Sequence, residues 1–312
     1  MARFLAQPAL TVIAGPTGAG KTDLAVALAE RLGAEIVSAD SQAVYRHFDL
    51  GTAKPEPEQL ARVPHHGVSV VEPREPFSAA RWVELADAAI SDIAARGRRV
   101  LVVGGTGLYV RALLHGLTDT PPDPEVRRAL EDEARRLGPE AMHRRLAEVD
   151  PAAAARLPVA DVLRVVRALE IHATTGAPPS ELRAAHAFRA ARYPARIHFL
   201  DPPREELEQR LESRTRRMFD RGLVKETARL VDRGFRESAP MRSVGYRQAL
   251  AVLDGELTPE QAERETFLES RRYAKRQRTW FRREPGTRFV PPPYAAVWEE
   301  AGLSVPLPGR SR

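Results

Sequence analysis

The stretch Leu10-Thr11-Val12-Ile13-Ala14-Gly15-Pro16-Thr17-Gly18-Ala19-Gly20-Lys21-Thr22 decides how the rest of the chain is read. Leu10 to Ala14 is apolar and rich in β-branched residues, the signature of a buried strand. Gly15 to Thr22 matches Gly-x-x-x-x-Gly-Lys-Thr, and from Thr22 to Leu32 the apolar residues fall at helical spacing. Strand, glycine-rich turn and helix in that order form a phosphate loop. The glycines let successive backbone N–H groups wrap an anion, and the helix N-terminus adds partial positive charge. Lys21 adds a full charge, and the Thr22 hydroxyl is expected to ligate Mg²⁺. Gly15, Pro16, Thr17, Gly18, Ala19, Gly20, Lys21 and Thr22 are therefore the expected phosphate or diphosphate site. An ordinary glycine turn is the alternative, but at average composition a chance match arises in roughly one chain of this length in a hundred.

Working outward, Glu35 to Ser38 reads as a second strand, and a helix capped near Ser78 runs through Trp82, Leu85, Ala89 and Ile93. Val100 to Val103 is a continuous apolar run suited to a strand covered on both faces. It ends in Gly104-Gly105-Thr106-Gly107, without the carboxylate that a nucleotide hydrolase places there to hold Mg²⁺. Asp40, after the second strand, could still take that role. Strands alternating with helices argue for a parallel sheet.

Near Thr118 the character changes. Thr120 to Pro124 is a stiff break, Glu125 to about Thr175 is helical in pattern, and Gly176-Ala177-Pro178-Pro179 closes that stretch. Arg196 to Leu200 returns as a strand, after which the chain is mostly helical and rich in Arg; beyond Pro285 the proline-rich tail shows no periodicity. The expected fold class is α/β: a P-loop NTPase-like parallel sheet core over residues 1–118 and 194–312, with a helical insertion over 119–193 and a helical C-terminal region.

The 312 residues are 43% hydrophobic and 29% charged, as in soluble globular proteins, and the net charge of +6 is modest. The absence of cysteine excludes disulfides and thiolate metal sites and suits a cytoplasmic protein. Met1 to Ala9 lacks the features of a secretory signal, and no apolar run approaches a membrane span.

Several stretches together resemble the tRNA dimethylallyltransferases, also called tRNA isopentenyltransferases. They are Gly15–Thr22, Ser38–Tyr45 (SADSQAVY), Asp49–Pro55 (DLGTAKP), His65-His66, Gly104–Tyr109 (GGTGLY), Arg164–Glu170 (RVVRALE), Arg242–Gln248 (RSVGYRQ) and Arg272–Phe281 (RYAKRQRTWF). They keep the family's order and cover roughly residues 10–283. The absence of cysteine rules out the zinc finger of the animal and fungal members, so the chain resembles the bacterial type.

The resemblance implies a phosphate loop that holds the diphosphate of dimethylallyl diphosphate instead of ATP. The acceptor would be N6 of the adenosine immediately 3′ of the anticodon, flipped out of the anticodon stem-loop through a cleft between core and insertion. Asp40 resembles the family's general base, Thr106 the hydroxyl that orients the adenine, and Arg214, of the Arg-x-x-x-Met helix, a further cation on the diphosphate, with Arg210, Arg216 and Arg217 of the same Arg-rich stretch as alternatives. For tRNA binding it implies Asp40, Ser41, Gln42, Ala43, Thr106, Arg128, Leu163, Arg164, Val165, Val166 and Arg167. Farther along it implies Arg242, Ser243, Val244, Gly245, Tyr246, Arg247, Arg272, Lys275 and Arg276. Mg²⁺ is the implied ion, with Thr22 as its protein ligand, and a monomer is expected.

The chain departs from the family in having Gln42-Ala43 where Met-Gln is frequent, which removes a Gln side chain at 43. His65 and His66 are expected on a loop, without chemistry. Arg271 to Arg283 carries Arg271, Arg272, Lys275, Arg276, Arg278, Arg282 and Arg283, with Tyr273, Trp280 and Phe281 interleaved. On a helix, Arg272, Arg276 and Arg283 would form a stripe suited to RNA phosphates. Three other readings remain open: a P-loop small-molecule kinase, an isopentenyltransferase acting on free adenine nucleotides, and a non-catalytic RNA-binding protein.

Overall fold

The computed structural model describes residues 8–117, 120, 123–186 and 191–305. The expected boundary at 118/119 and the reading of Met1 to Gln7 lie outside them. Six parallel strands form one sheet in the order β3-β2-β4-β1-β5-β6. In chain order these begin with β1 (Leu10–Ala14), α1 (Lys21–Leu32), β2 (Ala34–Ser38), α2 (Pro57–Arg62), β3 (His65–His66), α3 (Ala79–Ala95), β4 (Arg99–Gly104) and α4 (Gly107–His115).

The apolar run in β4 is continuous because both of its faces are covered. Val100 and Val102 pack with Trp82, Ile90 and Ile93 of α3, while Leu101 and Val103 pack with Val26 and Leu28 of α1. Ser78 caps α3 by accepting from the Arg81 amide, and the Trp82 indole N–H donates to the Ser38 carbonyl at 2.9 Å. The helix is thereby pinned to the end of β2. His65 and His66 sit in β3, at the sheet edge beside Ile36 and Val37, and not in a loop. A two-residue strand has too little length for its alternation to be seen in sequence.

By contact, the chain divides into an α/β unit, Met1–Leu114 with Arg192–Arg312, and a helical unit, His115–Ala191. The helical unit holds α5 (Pro124–Leu137), α6 (Pro139–Val149), α7 (Pro151–Ala154), α8 (Val162–Thr175) and α9 (Pro179–His186). Leu130, Met142, Leu146, Val165, Val166 and Leu169 form its core. The Pro178-Pro179 pair begins α9 instead of ending the helical stretch, because proline lacks only an N–H that a first helical turn leaves unpaired.

Where the α/β unit gives way to this excursion, the two chain ends are joined. The Arg192 amide donates to the Leu114 carbonyl at 2.7 Å, and the Arg192 guanidinium and Tyr193 hydroxyl both donate to Asp87, at 2.6 and 2.8 Å. The chain then continues as β5 (Ala195–Leu200), α10 (Arg204–Asp220), α11 (Leu223–Asp232), α12 (Tyr246–Leu253), α13 (Pro259–Phe281), β6 (Thr287–Val290) and α14 (Ala295–Glu300). The proline-rich tail thus adds an edge strand, β6, on β5, and a short helix that buries Val297 and Trp298 against the α1 side. Among the described residues no helix is long and apolar enough to cross a membrane.

Candidate active site

Gly18 and Gly20 both adopt positive φ, 82° each, which turns the loop after β1 back onto the start of α1. A Cβ at Gly18 would also lie 2.9 Å from the Leu211 side chain of α10, so only glycine fits between loop and helix. The Lys21 ammonium donates to the carbonyls of Gly15 and Pro16 at 3.0 and 2.8 Å. Burial lowers its pKa to about 8, opposed by the Asp40 charge and assisted by the Arg214 charge. A lysine held in this way carries a charge that gains strongly from a bound anion.

The loop forms one wall of a cavity of about 1070 Å³, every lining residue of which belongs to the α/β unit. Thr17 to Leu24, Asp40, Ser41, Gln42, Gly51 to Ala53, Arg242 to Val244 and Arg247 line it, with residues from α10 and α13 and Tyr294. Lys21, Arg210, Arg214, Arg217, Arg242, Arg247 and Arg276 outnumber the acidic Asp23, Asp40 and Glu269 on its walls. That excess suits a polyanion.

Arg210, Arg214, Arg216 and Arg217, four of the five arginines of α10, separate by position. Arg214 donates to the Thr17 hydroxyl at 2.6 Å, and burial lowers its pKa. Arg210 donates to the Ala19 carbonyl at 3.3 Å and pairs with Glu206. Arg217 lines the cavity, whereas Arg216 faces Glu212 and Glu263 outside it.

On the opposite wall the Asp40 carboxylate accepts from the Gln42 and Ala43 amides at 2.8 and 3.2 Å, all through one oxygen. The aspartate therefore shapes its own turn while its other oxygen takes no part in it. The Thr106 hydroxyl accepts from the Ser41 amide at 3.0 Å. Thr106 is not among the lining residues; it stands behind Ser41 and Tyr273, which are. Burial, and then the Asp40 charge, push the Tyr273 pKa up to about 12.

The other expected RNA residues fall into distinct classes. Tyr246 is fully buried: its hydroxyl donates to Glu226 and accepts from the Gly51 amide. Its ring is not open to a base here; it holds Gly51 at the cavity rim. Ala43 and Gly245 are buried, and Val165 and Val166 are core residues of the helical unit. Arg128, Leu163 (70% exposed) and Arg164 are exposed on that unit, and Arg167 is tied to the Thr120 carbonyl and Glu170. On α13, Arg276 lines the cavity over the Tyr273 ring, and Arg272 and Lys275 are exposed. Arg283 falls beyond the helix end, so the expected stripe stops at Arg276. Gln277 is a site residue that pattern reading did not single out, and Tyr273, read only as an aromatic between cations, also lines the cavity.

The IPP transferase family model matches residues 43–284, and the isopentenyl transferase model matches residues 8–65. The chain belongs to the tRNA dimethylallyltransferase family. A tRNA dimethylallyltransferase of Myxococcus xanthus is 60% identical over 96% of this chain and 98% of its own length. Another, from Geobacter metallireducens, is 48% identical over 88% of this chain and 90% of its own. Among solved structures, the tRNA isopentenylpyrophosphate transferase of Bacillus halodurans superposes with a TM-score of 0.67 at 38% identity, covering 91% of this chain and 90% of that one. A eukaryotic dimethylallyltransferase acting on tRNA gives a TM-score of 0.79 at 28% identity, covering 91% and 74%. Membership of the dimethylallyltransferase family removes the kinase, free-nucleotide and non-catalytic readings that the sequence had left open.

Proposed function

We propose that the chain transfers the dimethylallyl group of dimethylallyl diphosphate to N6 of the adenosine immediately 3′ of the anticodon of tRNA. The observation that carries this reading is the single cavity in which Lys21, Arg214 and the loop face Asp40. In the reaction the C1–O bond to diphosphate breaks, an N6–C1 bond forms, and the N6 proton passes to Asp40. Loop amides, Lys21 and Arg214 receive the charge that grows on the departing diphosphate. Asp40 is suited to the proton because one oxygen is committed to the turn and the other is not. Thr106 then acts by fixing Ser41 beside the adenine.

Thr22 supplies a hard oxygen donor on the cavity, the donor chemistry that Mg²⁺ takes together with substrate phosphate oxygens. When bound there, the ion would neutralise diphosphate charge. Arg242, Arg247 and Arg276 on the cavity, with Arg272 and Lys275 beside them, would hold the RNA backbone, and Arg128, Leu163, Arg164 and Arg167 the anticodon stem-loop. The protein is proposed to act as a cytoplasmic monomer.

The test is transfer of radiolabelled dimethylallyl from its diphosphate with Mg²⁺ and no ATP, offering unmodified tRNA and AMP side by side. Label in tRNA alone supports the proposal. Label in AMP alone, or in neither, sinks it.

A further inference from the structure

Gln277 occupies a place that neither its helix nor its charge-rich neighbours explain. It is 6% exposed in the middle of a segment whose flanking Arg276 and Arg278 are cationic. Its Oε1 accepts from the Thr17 amide of the phosphate loop at 2.8 Å, and its Nε2 donates to the Gly105 carbonyl at 3.0 Å. Those two loops end β1 and β4, the adjacent central strands, and are separated by 88 residues in sequence. Gly105 leaves room for the amide: a Cβ there would lie 2.1 Å from Nε2. Thr17 in turn receives Arg214 on its hydroxyl, and Gly105 precedes Thr106, which holds the Ser41 amide.

We infer that Gln277 is a positioning residue that locks the diphosphate loop to the loop behind the acceptor base, through one amide used as both donor and acceptor. Neither a hydrocarbon nor a carboxylate can do this. A hydrocarbon leaves the Thr17 N–H and Gly105 carbonyl unpaired in a buried place, and a carboxylate can serve Thr17 but repels the Gly105 oxygen. A protonated carboxyl group, by contrast, again has one donor and one acceptor. The clamp also lies one residue from Arg276 and four from Tyr273, so the helix that lines the acceptor side of the cavity sets the geometry of the donor loop.

The inference rests on the transferase reading, and its test uses a readout that does not need transfer. Inorganic pyrophosphate binding is measured by calorimetry on the full chain for the wild type, Gln277→Glu and Gln277→Met, each first shown to melt cooperatively. At pH 8 both variants are expected to bind about tenfold more weakly. As pH falls towards 5, Gln277→Glu is expected to regain wild-type affinity, compared at each pH, while Gln277→Met does not. Label transfer should follow the same pattern in kcat, with the KM for tRNA nearly unchanged. Equal affinity in all three proteins overturns the clamp, as does an equal loss in both variants at every pH, which would mark Gln277 as packing alone. A wild type that binds pyrophosphate but transfers no label would overturn the transferase reading and leave the clamp to be decided by binding.

Discussion

The Arg214 guanidinium donates to the Thr17 hydroxyl at 2.6 Å, so a residue of α10 completes the phosphate loop from 197 positions away. The link separates Arg214 from Arg216 and Arg217, while Arg210 reaches the loop only at the Ala19 carbonyl and is paired with Glu206. It also places a buried cation against the loop that would hold the leaving group.

Arg214→Ala is accordingly expected to lower kcat about 10²–10³-fold, the effect of removing one preorganised donor from developing charge. Arg216→Ala, facing Glu212 and Glu263, should change kcat less than about twofold. Steady-state transfer assays on the two variants decide it. Equal losses would mean that α10 acts through its overall charge.

Asp40→Asn preserves an oxygen for the Gln42 and Ala43 amides, so the turn should survive. The proton acceptor is lost, and kcat is expected to fall about 10²–10⁴-fold with tRNA affinity retained. Gel-shift and turnover measurements on one preparation test this. Loss of tRNA binding at full turnover would refute the assignment.

The depressed pKa of Lys21 makes two statements about pH. The unfolded lysine keeps its proton to about 10.5, the folded one only to about 8, so the unfolded state binds more protons between these values. Stability of the ligand-free protein from this group is therefore expected to rise from pH 8 to 10.5. Pyrophosphate affinity should fall over the same onset as the charge is lost. Lys21→Met should flatten the stability rise, melt higher than wild type at pH 7, and bind pyrophosphate poorly. A wild-type melting curve unaffected by the substitution at every pH would count against the burial argument.

Tyr246→Phe removes the hydroxyl that joins buried Glu226 to the Gly51 amide, and should cost on the order of 1–3 kcal/mol in denaturant unfolding. Direct base stacking would survive this change. A fall in tRNA affinity is expected only to the extent that the Gly51 rim loosens.

Arg276→Ala should weaken tRNA binding and reduce the slope of log K against log salt by about one. Arg282, beyond the end of α13, serves as the comparison.

The central strand β4 was legible in the sequence because it is buried on both faces and therefore carries an unbroken apolar run, Val100 to Val103. The phosphate loop was legible because its chemistry constrains spacing. β3, at His65-His66, and β6, at Thr287–Val290, were not, since edge strands this short show no period. The burial of Tyr246 was not legible, because an aromatic among arginines looks the same whether its ring faces RNA or is buried. Gln277 gave no signal, as its role depends on two loops brought together only by the pairing of β1 with β4.

The hydrogen bond between Arg192 and Leu114 closes the neck of the helical excursion. Once a neck is fastened, the cost of joining its ends grows only with the logarithm of what lies between, about 0.6 kcal/mol for each doubling of length. The helical unit is therefore attached as a cassette: a change in its length is expected to leave β1, β4 and β5 in register and to act on the hold on RNA. Evolution, or a designer, can vary the cassette and leave the chemistry in place.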